Sequence, residues 1–266
     1  MRYILIENYH IDAIIGLPAN IFFGTGIPTI IMVLRQKRER EDVLIIDASK
    51  GYTKEGKNNK LRASDIKRIA DTFVKRESIP KFSRTVSREE IRANDYNLKI
   101  PRFVDSSVAG LLWDVYASMF GGILAVVLDE LSAYWAAFPA LRGELFAENG
   151  TPYAALTVED IKSAIKNSRD VTAFEDAYRS AFAALPAYMK DVLLNGMDKI
   201  EIAKTETTLS EDIFARLADI PLIDKYEAYL LLDDHWNTIA VDLEMIQTEG
   251  FGAAKKVDPH LVTKKK

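Results

Sequence analysis

Two aromatic rings, Phe22 and Phe23, stand directly before a Gly24-Thr25-Gly26 turn whose glycines can take positive φ. Aromatics held at a strand edge by such a turn can line a binding pocket, although core packing is the commoner fate of rings at this spacing. A second set is cationic: Lys50, Lys54, Lys57, Lys60 and Arg62, spread through a polar stretch with Gly51 and Gly56. Lysines on an exposed loop can neutralise phosphates, and more often such runs are simply solvated. Asp12 and Asp47 fall at the ends of apolar runs and suggest acid–base work. With no lysine or histidine placed beside them by sequence, they read better as solvated caps. Asp233-Asp234-His235 superficially suggests a metal site, but adjacent residues on a helical pattern point in different directions. The absence of cysteine excludes disulfides and thiolate metal sites, and the three histidines, His10, His235 and His260, are far apart in sequence.

The elements that must position these residues begin with two β-branched runs, 13–17 and 29–34. Each is bounded by turn residues, as expected of strands buried on both faces. Pro18 ends the first, and Pro28 pushes Ile27 into an extended conformation leading into the second. A charged turn over 35–42 then lets 29–34 pair with a third run, 43–47, as a hairpin. Residues 50–62 read as an exposed loop. Ser64 is placed to cap a helix over 65–76 with Ile66, Ile69, Ala70 and Phe73 on one face, and Ser87 and Glu90 form a capping box for a short helix. Residues 96–104 alternate as an edge strand.

Beyond Ser106 and Ser107 the pattern turns helical. Helices are expected over 108–120, 123–138, 158–167, 173–185 and 188–195, over 211–217 with Ser210 as cap, and over 223–233 and 236–248, ending at Gly250. Trp113, Trp135, Tyr178, Phe182, Tyr226, Tyr229 and Trp236 fall on apolar faces of these helices, where core packing is the default. The last segment, 253–266, is basic and expected to be flexible.

The net charge of −4 hides an asymmetry: residues 1–105 carry +6 and residues 106–266 carry −10. The basic part suits nucleic acid, and the acidic part suits solvent or a basic protein surface. The most apolar stretch, residues 115–128, is 14 residues long. That is short of the roughly 20 needed to cross a bilayer. No secretory signal is visible at the start, and a cytoplasmic location is expected.

Longer runs carry a resemblance. Gly16-Leu-Pro-Ala-Asn-Ile-Phe-Phe-Gly-Thr-Gly-Ile-Pro-Thr29, Leu44-Ile-Ile-Asp-Ala-Ser49, Asn59-Lys-Leu-Arg62 and Asn94-Asp-Tyr-Asn-Leu-Lys-Ile-Pro-Arg102 closely resemble the methyltransferase (M) subunit of type I restriction–modification systems. Weaker likeness continues in Tyr134-Trp-Ala-Ala-Phe-Pro-Ala-Leu-Arg142 and Pro221-Leu-Ile-Asp-Lys-Tyr226, which look like the long-tailed branch of that family. The resemblance implies an α/β part followed by an all-α part: the last strands of a Rossmann-like S-adenosylmethionine-dependent fold over 1–105, a helical tail for subunit or DNA interaction over 106–252, and a flexible basic tail beyond. It implies methylation of adenine N6 in DNA by the full-length subunit.

The glycine turn for the cofactor and the Asn/Asp-Pro-Pro-aromatic motif are not found here, so the chain reads as a C-terminal fragment. Alone it is expected to be inactive and to bind no S-adenosylmethionine. By the same resemblance the connection over 19–28 lies beside the extruded adenine. Phe23 is then the first candidate to stack on the base and Phe22 the second, with Gly24, Thr25 and Gly26 shaping the pocket. DNA, the specificity subunit and the restriction subunit are the implied partners, and no membrane is implied. The apolar face over 222–245 is expected to meet the specificity subunit. The alternative is a non-enzymatic helical interaction module that docks a DNA-specificity subunit.

Overall fold

Ile11–Gly16 (β1) is buried along its whole length and lies at the centre of the first sheet. The computed structural model describes residues 2–22, 24–38, 40–106, 114–148 and 150–252. It divides into two compact units, Met1–Leu111 and Leu112–Lys266.

In the first unit, α1 (Arg2–Glu7) leads into β1, followed by β2 (Ile30–Leu34), β3 (Val43–Asp47), a small β4–β5 hairpin (Thr53–Glu55 and Asn58–Lys60), α2 (Ala63–Lys75), β6 (Ser83–Val86) and α3 (Arg88–Ala93). The sheet order is β2-β1-β3-β6. β1 pairs antiparallel with β2 and parallel with β3, so the hairpin expected between 29–34 and 43–47 does not form. The charged 35–42 segment crosses the end of β1 instead, because Arg38 donates to the Ile11 carbonyl and Arg35 pairs with Asp12. β3 therefore emerges on the far side of β1.

Burial on both faces holds for β1 and β3. It fails for β2, an edge strand whose residues are exposed except for the half-buried Val33. Ile14 and Ile45 face one core with Ile6 and Ile91, while Ala13, Ile15, Leu44 and Ile46 face the other with Ile69 and Phe73 of α2. Ile11 joins the Ile14 side although the two are three residues apart, because a bulge at Asp12 adds one residue to β1 there.

Three local expectations are corrected. Residues 96–104 form no strand. Asp95 and Tyr96 take positive φ, and Ile100–Arg102 is a 3-10 turn with Pro101 in its first turn. The fourth strand is β6, a short polar strand antiparallel to β3. Ser64 does not cap α2; it is buried within it. Arg62 is the cap, and Asp65 accepts from the Arg62 backbone N–H and from its Nε, both at 3.0 Å. Ile66 and Ala70, expected to face inward, are exposed. Ser87 does cap α3, its Oγ accepting from Glu90 N at 3.2 Å.

The second unit contains α4 (Val115–Phe120), β7 (Ile123–Leu124), α5 (Ala125–Asp129), α6 (Ser132–Ala137), α7 (Leu141–Leu145), β8 (Phe146–Glu148), β9 (Tyr153–Leu156), α8 (Ile161–Asn167), α9 (Arg169–Phe182), α10 (Leu185–Lys190), α11 (Ile202–Arg216) and α12 (Lys225–Glu249). It is not all-α, since β7, β9 and β8 form a small antiparallel sheet. Gly121 and Gly122, both at positive φ, turn the chain out of α4 into β7, which breaks the single helix expected over 123–138.

Ser210 caps nothing. It lies inside α11, where its hydroxyl donates to the Thr207 carbonyl. The two last expected helices are one, α12, because no breaker separates them. Asp224 caps its start, and Gly250 at φ 77° ends it. Leu232, Trp236 and Leu243 of α12 pack with Leu209 and Ile213 of α11. A truncation at residue 222 would remove core side chains, so it is not a clean test of docking. Residues 253–266, Trp113 and the first part of the helix expected over 108–120, residues 108–113, lie outside the described residues. Among the described residues, no helix is long and apolar enough to cross a membrane.

Glu7 at the end of α1 ties it to α3 and the loop beyond. Its Oε1 accepts from Arg92 Nε and Tyr96 OH, each at 2.7 Å, and Arg92 Nη2 donates to its other oxygen. The Arg92 and Tyr96 hydrogen bonds hold the Glu7 carboxyl at about 2, below its ordinary 4.5. A depressed carboxylate stabilises the fold above its unfolded value, and that contribution is lost as pH falls toward the folded one. Thermal melts should show Glu7→Gln less stable than the parent at pH 7, with the gap closing between pH 4.5 and about 2. A gap independent of pH would mean that the carboxylate charge is irrelevant here.

Candidate nucleic-acid interface

The parallel pairing of β1 and β3 brings their carboxyl ends together, and Ala48 N donates to Gly16 O at 2.9 Å. The connection over 17–29 leaves one end and the stretch over 48–62 leaves the other. The two candidate sets found in the sequence therefore rise from the same edge of the sheet, the edge at which open α/β sheets bind ligands.

Asn59 joins them. Its Nδ2 donates to Ala19 O at 2.7 Å and its backbone N–H to Asn20 O at 2.9 Å. Leu17 N donates to Thr29 O at 2.8 Å and closes the connection at its base. Within the connection, Thr25 N donates to Phe22 O and Ile27 N to Thr25 Oγ1, both at 3.3 Å. Gly24 has φ 81° with open space where a Cβ would point. Gly26 takes no positive φ, contrary to the expectation; its place beside Asn20 Oδ1 leaves only 3.4 Å for a Cβ. Phe22 is 53% exposed, so it is not a core residue. Phe23, the first sequence candidate, lies outside the described residues.

The cationic stretch is a hairpin rather than an open loop: β4 and β5 pair antiparallel and turn at Gly56, φ 63°. Lys60 pairs with Glu55 at 3.4 Å and Arg62 with Asp65 at 3.0 Å. Lys50, Lys54 and Lys57 are exposed and have no carboxylate partner among the described residues. Gly51 needs no unusual φ. It is glycine because a Cβ would stand 2.6 Å from Asp65 Oδ1, which accepts from Arg62 Nη2 at the start of α2.

Neither strand-end carboxylate is a solvated cap. Asp47 accepts from Ser49 N at 3.1 Å and from Ser106 Oγ at 2.5 Å. Asp12 is buried among Arg35, Arg38 and Arg76. The arginines were invisible as partners because they lie 23 or more residues away in sequence, and only the 35–42 crossing and the end of α2 bring them in. Asp233 bonds Asn237 along its own helix, and no group of three metal-ligating side chains occurs among the described residues.

Residues 1–109 match the family model described as N-6 DNA Methylase. The methylase subunit of type I restriction enzyme MpnII from Mycoplasma pneumoniae is 36% identical over 107 residues, which make up 40% of this chain and 20% of that protein. The methylase subunit of type I restriction enzyme MjaVII from Methanocaldococcus jannaschii is 37% identical over 106 residues, 38% of this chain and 18% of that protein. A solved type I restriction–modification methyltransferase subunit from Streptococcus thermophilus is 47% identical and covers 40% of this chain and 22% of that one, with a TM-score of 0.39. The resemblance drawn from the sequence thus stands over the first hundred or so residues. The chain spans about a fifth of the length of the curated relatives it matches. The family match ends at residue 109, just short of the second unit.

Asn59→Ala should release the hairpin from the 17–29 connection at a cost of about 1 kcal/mol, the usual worth of a hydrogen bond whose acceptor is left unpaired. Amide exchange measured residue by residue should quicken several-fold at Asn59 and Leu17 and stay unchanged in β3. Unchanged exchange at both positions would show the tie to be incidental.

Proposed function

We propose that this chain is part of a type I restriction–modification DNA methyltransferase subunit that methylates adenine N6 in DNA, and that its first unit is one flank of a larger, Rossmann-like catalytic sheet. The exposed face of β2 carries this reading. Ile30, Ile31 and Leu34 are 55%, 48% and 53% exposed, although they alternate between the two faces of the strand, and among the described residues β2 has a strand neighbour only on its β1 side. A strand apolar on both faces is ordinarily covered on both, and an open apolar edge invites a further strand. On this reading β2 is an interior strand of the complete sheet.

S-adenosylmethionine is the methyl donor that the family implies, and the residues described here do not suit it. The space over Gly16 is filled by Ile100, whose Cδ1 lies 2.6 Å from where a Cβ would stand. Both carboxylate oxygens of Asp47, the one strand-end acid on that edge, are taken by Ser49 N and Ser106 Oγ. No step is therefore assigned to the cofactor here. What these residues supply on the proposed reading is a place for the base and grip on the backbone. Base-modifying enzymes extrude their target and read it partly by stacking. Phe22 stands exposed on the connection at the carboxyl edge, Phe23 follows it in sequence as the first candidate to stack on the base, and Gly24, Thr25 and Gly26 shape the connection. Lys50, Lys54 and Lys57 offer charge to nearby phosphates, with Lys60 and Arg62 held back by their own carboxylates. The second unit supplies helices to the specificity subunit, with the restriction subunit as a further partner and the cytoplasm as the location.

In the full-length subunit, alanine at Phe22 or Phe23 should lower kcat about tenfold or more while DNA affinity stays nearly constant. A base–aromatic stack contributes about 1–3 kcal/mol, whereas phosphate contacts dominate affinity. Single-turnover methylation beside equilibrium binding of the same duplex separates the two. Full activity in both variants would remove the connection from the base pocket.

A further inference from the structure

A second cationic site lies at the opposite end of the sheet, where β1 begins and β2 ends. A cleft of about 550 Å³ there is lined by Arg35, Lys37, Arg38, Arg40, Arg76 and Asp12. We propose that this cleft is a phosphate-binding site, distinct from the carboxyl-edge lysines and independent of the reading given to them. Positive charge is left over there after the structural pairs are formed. Asp12 and Asp42 are the carboxylates that meet Arg35, Arg38 and Arg76. Three guanidinium groups against two carboxylates already leave one positive charge.

Lys37 and Arg40 add two more. Both are exposed and neither has a carboxylate partner among the described residues. A turn that only needed to be anchored would not require them. Donor capacity is left over as well, for Arg76 Nε is buried without a hydrogen-bond partner. Burial, and after it the charges of Arg76 and Arg35, push the Arg38 guanidinium below its ordinary value, against the pull of Asp12 and Asp42. An added anion would relieve that crowding. Forked guanidinium groups around a cleft suit the tetrahedral oxygens of a phosphate, which accept in pairs.

The phosphate has two possible sources, a nucleic-acid backbone or a small phosphorylated molecule, and both carry the same recognition chemistry. The double variant Lys37→Gln/Arg40→Gln removes charge from exposed positions that hold no structural pair, so it should melt with the parent chain. Binding of a labelled 20-base-pair DNA duplex, followed by anisotropy across a salt series, is compared with calorimetric titration of inorganic pyrophosphate. Weakened duplex binding, with a logarithmic salt slope reduced by about 1 to 2, supports the site and assigns it to a backbone. Weakened pyrophosphate binding with the duplex unaffected supports the site and assigns it to a small phosphorylated ligand. If both probes bind the double variant as they bind the parent, the proposal is overturned. Lys54→Gln/Lys57→Gln, at the other end of the sheet, serves as the companion variant: it should leave pyrophosphate binding at the cleft unchanged, and loss of that binding would likewise overturn the assignment.

Discussion

Asp12 is 5% exposed and sits at the bulge in β1, with Arg35 Nε, Arg76 Nη1 and Arg38 Nη2 at 2.7, 2.8 and 3.3 Å. Much of the first unit follows from that arrangement. The bulge rotates Ile11 onto the Ile14 face and so fills the core beneath α1 and α3. Arg38 reaches Asp42 O at 2.5 Å and Arg76 reaches it at 3.4 Å, which pins the 35–42 crossing over the start of β1. The crossing delivers β3 parallel to β1, and parallel pairing brings the two carboxyl ends together. Removing one partner from a buried charge pair typically costs about 3–5 kcal/mol, because the other charge stays buried alone. Here Asp12 meets all three arginines and Asp42 only two of them, so Asp12 is the carboxylate whose loss would leave the most charge without its partner.

That arrangement also sets what could be read from the sequence. Local chemistry was legible: β1 and β3 from their unbroken β-branched runs, the Ser87 cap from its spacing to Glu90, and the Gly24 turn. Pairing was not. The hairpin expected between 29–34 and 43–47 is the local solution, and it lost to ion pairs spanning up to 64 residues, which no periodicity reveals. Ser83–Val86 escaped notice because three of its four residues are polar, and Ser83 is retained inside by hydrogen bonds to Glu77 O and Ile79 N rather than by apolarity. The small sheet of the second unit is made of strands of two to four residues, too short to show a period of two. At the candidate site the sequence supplied both clusters, yet gave no sign that Asn59 joins them. One polar residue in a polar run carries no signal until its acceptors, the Ala19 and Asn20 carbonyls, are placed.

β2 shows the same division between local and distant causes. Its composition is that of a strand covered on both faces, and its environment in the first unit covers one edge only. A composition that disagrees with its surroundings is informative when the neighbouring strands agree with theirs, as β1 and β3 do. The mismatch therefore belongs to β2 and to whatever meets it, not to a poorly formed sheet. This is why the open edge, rather than the aromatic connection, bears the weight of the proposed function: the connection could adopt its turn in many contexts, whereas exposed isoleucines on alternate sides of one strand call for a partner.

Electrostatics divides the labour further. Residues 106–266 carry −10 against +6 for residues 1–105, so the phosphate contacts of the proposed reading belong with the first unit. Net charge alone does not place them, since charges more than about 8 Å apart are largely screened at physiological salt. Local clusters decide, and the first unit has one at each end of β1. Six residues of strand at about 3.3 Å each separate them by roughly 20 Å, more than two screening lengths. On the proposed reading, the lysines at the carboxyl end and the arginines at the amino end are therefore separate sites. A ligand on one does little to the charge state of the other. Only a polyanion long enough to span the strand can couple them, and then through its own length rather than through the protein.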